Sequence, residues 1–340
     1  MQVVIDGRPL VGNRTGIGVH TAEIARRLAV APPPIIGSHA EIADKDGLGH
    51  CCFAVDPYPL GVLWQQLSMP KIDGDVVWGP HGTLPLTLRK PSVVTIHDFT
   101  SITMPGRHRL KTILSFNLFI GRSLEMAHRV AAVSKAVADE TMRGFGVPAS
   151  RIEIVPNGVD AFWSPGSGPE GDYLLYAGTL EPRKGIDDLI AVWSSLPEPR
   201  PRLILAGDPG WRTSVVRTPG VEVHGFVTRE ELRALYRGAR AFIYPSRYEG
   251  FGLPPLEAMA CGVPVIATRT GAIPDYAEGA AILVSPGSRA ELEDAMVRIL
   301  RDGELRRELR ARGPERAARY RWDESARTMQ RLLEEAAACG

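Results

Sequence analysis

Short runs rich in valine, isoleucine and alanine alternate with helical stretches along the chain, and the alternation breaks at Ala161-Phe-Trp-Ser-Pro-Gly-Ser-Gly-Pro-Glu-Gly171. That pattern constrains the fold more than any single motif. Parallel strands need a crossover between them, usually a helix, so strand and helix must alternate in sequence. Strands are expected at 3–5, 76–78, 92–96 and 129–133 before the break, and at 173–177, 202–206, 221–224, 241–244 and 264–267 after it. The expected architecture is α/β, with two Rossmann-like lobes in succession and a joint between about residues 165 and 170. A chain of 340 residues is long enough to build both cores.

Composition excludes several classes. A net charge of +1 gives no global field to recruit nucleic acid. No apolar run reaches the roughly 18 residues of a membrane span. Met1-Gln-Val-Val-Ile-Asp-Gly-Arg8 reads as a first strand rather than a signal peptide. Cys51, Cys52, Cys261 and Cys339 form no C-x-x-C pair and no disulfide framework, which suits a reducing cytoplasm and argues against structural zinc. No two histidines share a helix at metal-ligand spacing, so no metal site is expected. Asp73-Gly-Asp75 spells D-x-D, a metal-binding pattern elsewhere, but Asp-Gly before a strand is first of all a turn.

Two segments carry chemistry after the break. In Glu249-Gly-Phe-Gly-Leu-Pro-Pro-Leu-Glu257, Gly250 and Gly252 let the backbone of the loop around Phe251 and Leu253 approach a ligand with its N–H groups outward. Pro254 and Pro255 preset the first turn of a helix whose amino end favours phosphate. Glu257, placed in that first turn, can accept hydrogen bonds from a vicinal diol such as ribose, and Glu249, outside the helix, is free for sugar hydroxyls. An ordinary strand-loop-helix junction would look the same. In Thr179-Leu-Glu-Pro-Arg183-Lys184-Gly185, two adjacent cations follow a strand, as a departing diphosphate requires and as a solvated basic turn would also show.

Before the break, Gly12-Asn-Arg-Thr-Gly16-Ile-Gly18-Val-His20 leads into a helix expected at 21–29, with a spacing that lacks the G-x-G-x-x-G of a dinucleotide site. His97-Asp98 ends a strand. The histidine there could touch a sugar or move a proton, or be a satisfied core residue. Ser134 stands where a helix cap is needed, and Asn157-Gly158 is a favoured tight turn. Between Phe99 and Leu124, Arg107, Arg109, Lys111 and Arg122 flank an apolar stretch at 113–120. That face suits an anionic acceptor or a weak membrane-surface contact, or a buried helix with solvated ends.

The Glu249–Glu257 string resembles the E-x₇-E signature of the group 1 family of retaining, nucleotide-sugar-dependent glycosyltransferases, down to its Glu-Gly-Phe-Gly-Leu-Pro core. Thr95-Ile-His-Asp98, Ser134-Lys135 and Val155-Pro-Asn-Gly-Val-Asp160 resemble further strings of that family. The resemblance covers nearly the whole chain and is strongest from Val155 to Asp275. It implies a GT-B fold, with two Rossmann-like lobes whose parallel sheets face a central cleft. Residues 1–165 would form an acceptor lobe and 170–318 a nucleotide-sugar donor lobe. A final helix at 319–340 would cross back to the first lobe.

The implied reaction moves a sugar from a UDP- or GDP-type donor to a hydroxyl of an oligosaccharide, a glycolipid or a glycosylated natural product of a bacterial secondary pathway such as antibiotic biosynthesis. It would retain anomeric configuration and need no metal or cofactor. By the same resemblance, Arg183 and Lys184 contact the diphosphate, Glu249 and His97 the sugar, and Glu257 the ribose. Asp98 orients neighbouring groups, Gly16 and Gly18 lie near the phosphates, and Gly178, Gly207 and Phe226 help hold the nucleotide. A UDP-sugar epimerase of similar shape and a nucleotide-sugar-binding protein without transfer are the alternatives. A Rossmann oxidoreductase is opposed by the missing dinucleotide fingerprint.

Overall fold

The computed structural model describes residues 1–14, 16–104, 110–168, 170–208 and 218–339, with the side chains of 110–117 left aside. The chain forms two compact units, Met1–Asn157 together with Trp322–Gly340, and Gly158–Arg321.

The first unit is built on seven parallel strands, β1 (Val3–Asp6), β2 (Ile35–Ser38), β3 (Cys52–Val55), β4 (Val76–Gly79), β5 (Ser92–Ile96), β6 (Arg129–Ala132) and β7 (Ile152–Ile154). Their order in the sheet is β3-β2-β1-β4-β5-β6-β7. The central strands β1, β4 and β5 are buried at every position. They read as continuous apolar runs rather than alternating ones, as strands covered on both faces do. Edge strand β3 is half exposed although all four of its residues are apolar, and neither it nor the short β2 and β7 stands out from sequence.

Helices α1 (Gly16–Ala25), α2 (Gly61–Leu67), α3 (Thr100–Thr103), α4 (Leu110–Met126) and α5 (Lys135–Phe145) complete the first run. Ser134 caps α5 as expected, its Oγ accepting from Val137 N at 3.2 Å. Helix α1 begins at Gly16, not at residue 21. Gly16 and Gly18 therefore lie in its first turn and not in a preceding loop. The reason is packing: a Cβ on Gly18 would meet Pro9 O at 2.5 Å, so the glycine lets the helix start hard against the turn at Arg8–Leu10.

The second unit has six parallel strands, β8 (Tyr173–Ala177), β9 (Arg202–Ala206), β10 (Val221–Gly225), β11 (Ala241–Tyr244), β12 (Val265–Thr268) and β13 (Ile282–Val284), ordered β10-β9-β8-β11-β12-β13. Its helices are α6 (Ile186–Ser195), α7 (Arg229–Gly238), α8 (Leu253–Ala260), α9 (Ile273–Ala277), α10 (Arg289–Arg301) and α11 (Gly303–Ala317). The last helix, α12 (Trp322–Ala337), packs on β4, β5 and β6 of the first unit, with Leu332, Leu333 and Ala336 buried. Ser325 Oγ donates to Pro156 O at 2.6 Å, and Arg27 Nε to Asp323 Oδ1 at 2.8 Å.

The line between the units falls at Asn157, several residues before the glycine- and proline-rich break. Residues 158–165 pack with the second unit. Val159 pairs with Arg321, Arg237 Nε donates to Ser164 O at 2.7 Å, and the guanidiniums of Arg229 and Arg233 sit 4.6 and 4.0 Å from the Phe162 ring. Turn-forming residues end the periodicity at the break. The aromatic pair Phe162–Trp163 decides to which core the preceding segment belongs.

Candidate active site

In the second unit, three strand ends deliver the residues singled out above. After β8 the chain makes a tight turn at Pro182–Lys184, closed by Gly185 at φ +71°. After β11 it runs through Pro245 and Ser246 to Glu249, and after β12 through Thr270 and Gly271. These loops lie backbone against backbone. A Cβ on Gly185 would stand 2.2 Å from Pro245 O, and one on Gly271, at φ +56°, would stand 2.2 Å from Glu249 O. Arg247 N donates to Arg183 O at 2.8 Å, and Glu249 N to Thr270 Oγ1 at 3.1 Å.

This scaffold brings Lys184 and Glu249 together, 65 residues apart in sequence, with Nζ donating to Oε1 at 2.5 Å. Both side chains are buried. Tyr244 OH donates to the same Oε1 at 3.0 Å, Ser246 Oγ donates to it as well, and Lys184 Nζ also donates to Tyr244 Oη at 2.8 Å. Glu249 is therefore not the free carboxylate the sequence suggested, since one oxygen is spent on the protein. Burial would raise its pKa, but the Lys184 ammonium, then Arg183 and the hydrogen bonds, bring it below the usual carboxylate range. Burial lowers Lys184 from the usual lysine value, with Glu249 opposing the fall. Arg183 is half-buried; its Nε donates to Glu181 Oε2 at 2.8 Å and its Nη1 lies 3.8 Å from Glu249 Oε1.

Helix α8 starts at Leu253, with Gly252 as its cap at φ +84°. Pro254 and Pro255 have no N–H, so the orphan donors at that helix start reduce to Gly252 and Leu253. Glu257 falls in the second turn and not the first, because Leu253 is already helical. Its Oε2 accepts from Tyr236 OH at 3.3 Å. Gly250 and Phe251 are buried, the latter packed on Tyr276, whose OH donates to Gly252 O at 2.7 Å. Gly178 and Gly207 meet at the ends of β8 and β9, where a Cβ on Gly207 would lie 2.1 Å from Gly178 O. Their first role is close backbone approach. Phe226 at the end of β10 keeps an exposed ring, while its N–H is fixed to Asp208 Oδ1 at 3.0 Å.

In the first unit, His97 follows β5 and its Nε2 lies 2.9 Å from Pro80 O. Burial lowers its pKa to about 4. Asp98 Oδ1 accepts from Thr100 N at 3.0 Å and Thr100 Oγ1 at 2.6 Å, which makes it the anchor of the α3 turn. Sequence reasoning missed His20, which packs edge-on to His97 with ring centroids 4.8 Å apart, and gave no role to Asn157, whose Oδ1 is 2.7 Å from His20 Nδ1. It also missed Tyr244, Ser246, Thr270 and Gly271. The only available signal was Ser246 standing three residues before Glu249. Asp188 holds the outer side of the loop: it accepts from Arg247 Nη2, and from Arg289 Nε at 2.7 Å.

Residues 160–316 match the family described as Glycosyl transferases group 1, and residues 53–161 match Glycosyltransferase Family 4. The O-antigen chain mannosyltransferase B of Escherichia coli is 30% identical over 369 residues, covering 95% of this chain and 97% of that protein. The chain belongs to the group 1 glycosyltransferases. A D-inositol 3-phosphate glycosyltransferase of Nocardiopsis dassonvillei is 31% identical over 406 residues, covering 98% of this chain and 91% of the relative.

Among solved structures, sucrose-phosphate synthase from Thermosynechococcus elongatus superposes with a TM-score of 0.80 at 23% identity, covering 100% of this chain and 99% of its own. Anabaena Alr3699/HepE in complex with UDP-glucose gives 0.80 at 21% identity, covering 98% and 100%. These neighbours establish the GT-B architecture for this glycosyltransferase. Among its described residues no helix is long and apolar enough to cross a membrane. Arg107 and Arg109 of the basic stretch, and the side chain of Lys111, lie outside the described residues. Arg122 pairs with Glu125 at 3.0 Å.

Proposed function

We propose that this glycosyltransferase moves a sugar from a UDP- or GDP-sugar to a hydroxyl of a glycan, glycolipid or glycosylated small molecule, with retention of anomeric configuration and without a metal ion. The buried Lys184–Glu249 pair carries the reading. An ammonium has three N–H donors. With two of them on Glu249 and Tyr244, the third can serve an oxygen of the departing diphosphate, and the ammonium is already held where charge develops. Arg183, braced by Glu181, shares that charge. The Leu253 N–H at the start of α8 adds a fixed dipole, as does that of Gly252 before it.

Glu249 orients sugar hydroxyls through the part of its carboxylate not spent on Lys184, Glu257 holds the ribose, and the exposed Phe226 ring stacks on the base. His97 stands against the sugar, and Asp98 acts by fixing the turn beside it. Glu249 is tied into an ion pair, a poor state for a covalent nucleophile. Same-face attack assisted by the leaving phosphate is the step the residues support.

The O-antigen relative acts with mannose by its name, and the Anabaena neighbour holds UDP-glucose, so GDP-mannose and UDP-glucose are the first donors to try. We place the reaction in the cytoplasm, with a weak membrane-surface contact through the first unit, where Leu86 and Leu118 are exposed near Arg122.

Thermal shift tests the reading. UDP or GDP at a hundred times its Kd should stabilise the protein by about 2.7 kcal/mol, while NAD and AMP should not. A melting temperature indifferent to both nucleoside diphosphates contradicts the assignment. Proton NMR of the product then separates retention from inversion, and a labelled donor separates transfer from epimerisation.

A further inference from the structure

His20 occupies the second turn of α1, fully buried, with its ring edge-on to Trp78 at 6.1 Å and to Trp322 at 6.0 Å as well as to His97 at 4.8 Å. Its Nδ1 faces the Oδ1 of buried Asn157 at 2.7 Å, and its Nε2 has no hydrogen-bond partner among the described residues. An amide oxygen only accepts, so Nδ1 carries the hydrogen and Nε2 keeps a bare lone pair. The reverse choice, with the amide turned over and the hydrogen on Nε2, would bury an unsatisfied N–H, the rarer and costlier defect.

His97 is fixed the opposite way. The carbonyl of Pro80 accepts from its Nε2, so Nδ1 is the acceptor atom of that ring. Burial keeps both rings uncharged at neutral pH, with His20 pushed down to about 3. Two neutral histidines in opposite tautomers thus meet at an interplanar angle of 89°. His20 is held by Asn157 on one side and two indoles on others, and Trp78 is itself tied through Nε1 to Thr95 Oγ1 at 2.9 Å.

We propose that His20 is a positioning residue for His97: caged by Asn157, Trp78 and Trp322, it sets the plane of the His97 ring so that Nδ1 is presented as a hydrogen-bond acceptor to a hydroxyl of the substrate. The proposal rests on the assignment of His97 to the sugar. It explains why Asn157, at the end of the first unit, is more than a turn residue.

The test pairs a spectroscopic and a kinetic readout on the full chain. In ¹⁵N-histidine-labelled protein, long-range ¹H–¹⁵N spectra should show His20 as the Nδ1–H tautomer and His97 as the Nε2–H tautomer, and any other pair of tautomers overturns the proposal. His20→Phe keeps a ring without the hydrogen bond. It should lower kcat for UDP release from UDP-glucose, or GDP release from GDP-mannose, by about tenfold with donor KM little changed, as loss of orientation does. In the same variant the His97 signal should lose its single-tautomer pattern.

An unchanged His97 signal with unchanged kcat in His20→Phe sinks the idea, as does a kcat loss no larger than the loss of folded protein. If His20→Phe does not fold, His20→Asn, whose amide N–H can replace Nδ1–H toward Asn157, takes its place with the same two outcomes. Should neither donor be turned over and neither UDP nor GDP raise the melting temperature, the functional reading fails, while the tautomers and the His97 signal of His20→Phe still decide whether His20 positions the His97 ring.

Discussion

The histidine pair of the first unit and the lysine–glutamate pair of the second both sit out of water, but they solve the problem by opposite means. His20 and His97 escape the cost of burying charge by staying neutral, with pKa values pushed down to about 3 and about 4. Lys184 and Glu249 stay ionised and compensate each other, with Tyr244 and Ser246 filling the remaining contacts on Oε1. Neutral rings give direction without a field. A compensated ion pair gives a fixed charge that a diphosphate can share.

The sharpest way to break the comparison is to remove one ion of the pair. Lys184→Met should cost about 3–5 kcal/mol in stability, because it leaves Glu249 buried and uncompensated. It should also lower kcat by about a hundredfold or more through the lost transition-state contact. Adding Glu249→Gln should recover most of the stability and none of the turnover, as read by denaturant melts and donor consumption. A Lys184→Met enzyme with normal stability and rate would show that the pair carries neither role.

Next in size is the backbone beneath each cluster. Gly271→Ala places a Cβ 2.2 Å from Glu249 O at a positive φ, whereas Gly18→Ala in the first unit meets Pro9 O at 2.5 Å with no such dihedral. Left-handed strain alone costs about 1–3 kcal/mol. Gly271→Ala should therefore lower the melting temperature more than Gly18→Ala, and equal shifts would mean that the loop under Glu249 yields freely.

The smallest effect separates the regions by pH. His20 and His97 have folded pKa values below the ordinary histidine value of 6.5, so below that pH the unfolded chain binds protons that the folded chain refuses. Stability should be full above pH 6.5 and fall as pH drops from there toward about 4 for His97 and about 3 for His20. His39 and His81, lowered by desolvation and by the Arg8 guanidinium, add to the same limb. Glu249, depressed below 4.5, should add a second loss that begins only below that pH. In melts across an acid series, His20→Phe should flatten the first limb and Glu249→Gln the second. A first limb unaltered by His20→Phe would mean that its ring takes up protons in the folded state.

Most strands were legible because buried parallel strands are apolar at consecutive positions. Residues 92–96, 173–177, 202–206 and 241–244 were expected as strands and are strands. The edges β3, β7 and β13 were not legible, each being a run of only three or four residues, although the exposed edge β10 was expected. Cap chemistry at Ser134 was legible for the same local reason, since a cap and its acceptor are three residues apart. The start of α1 was misplaced because a glycine signals a loop by its own preference, while the contact of Gly18 with Pro9 overrides it.

The sequence by itself determined the alternating strands and helices, the order of the two cores, and the residue types at 183, 184, 249 and 257. Only the tertiary structure decided that Glu249 spends one oxygen on Lys184, that Asp98 anchors a turn, and that His20 and Asn157, 137 residues apart, fix each other beside His97. The physical reason is range. Backbone preference and hydrophobic period act over a few neighbours and leave a trace in the string of letters, whereas hydrogen bonds and ion pairs between strand ends form when distant segments pack, and no local spacing records them.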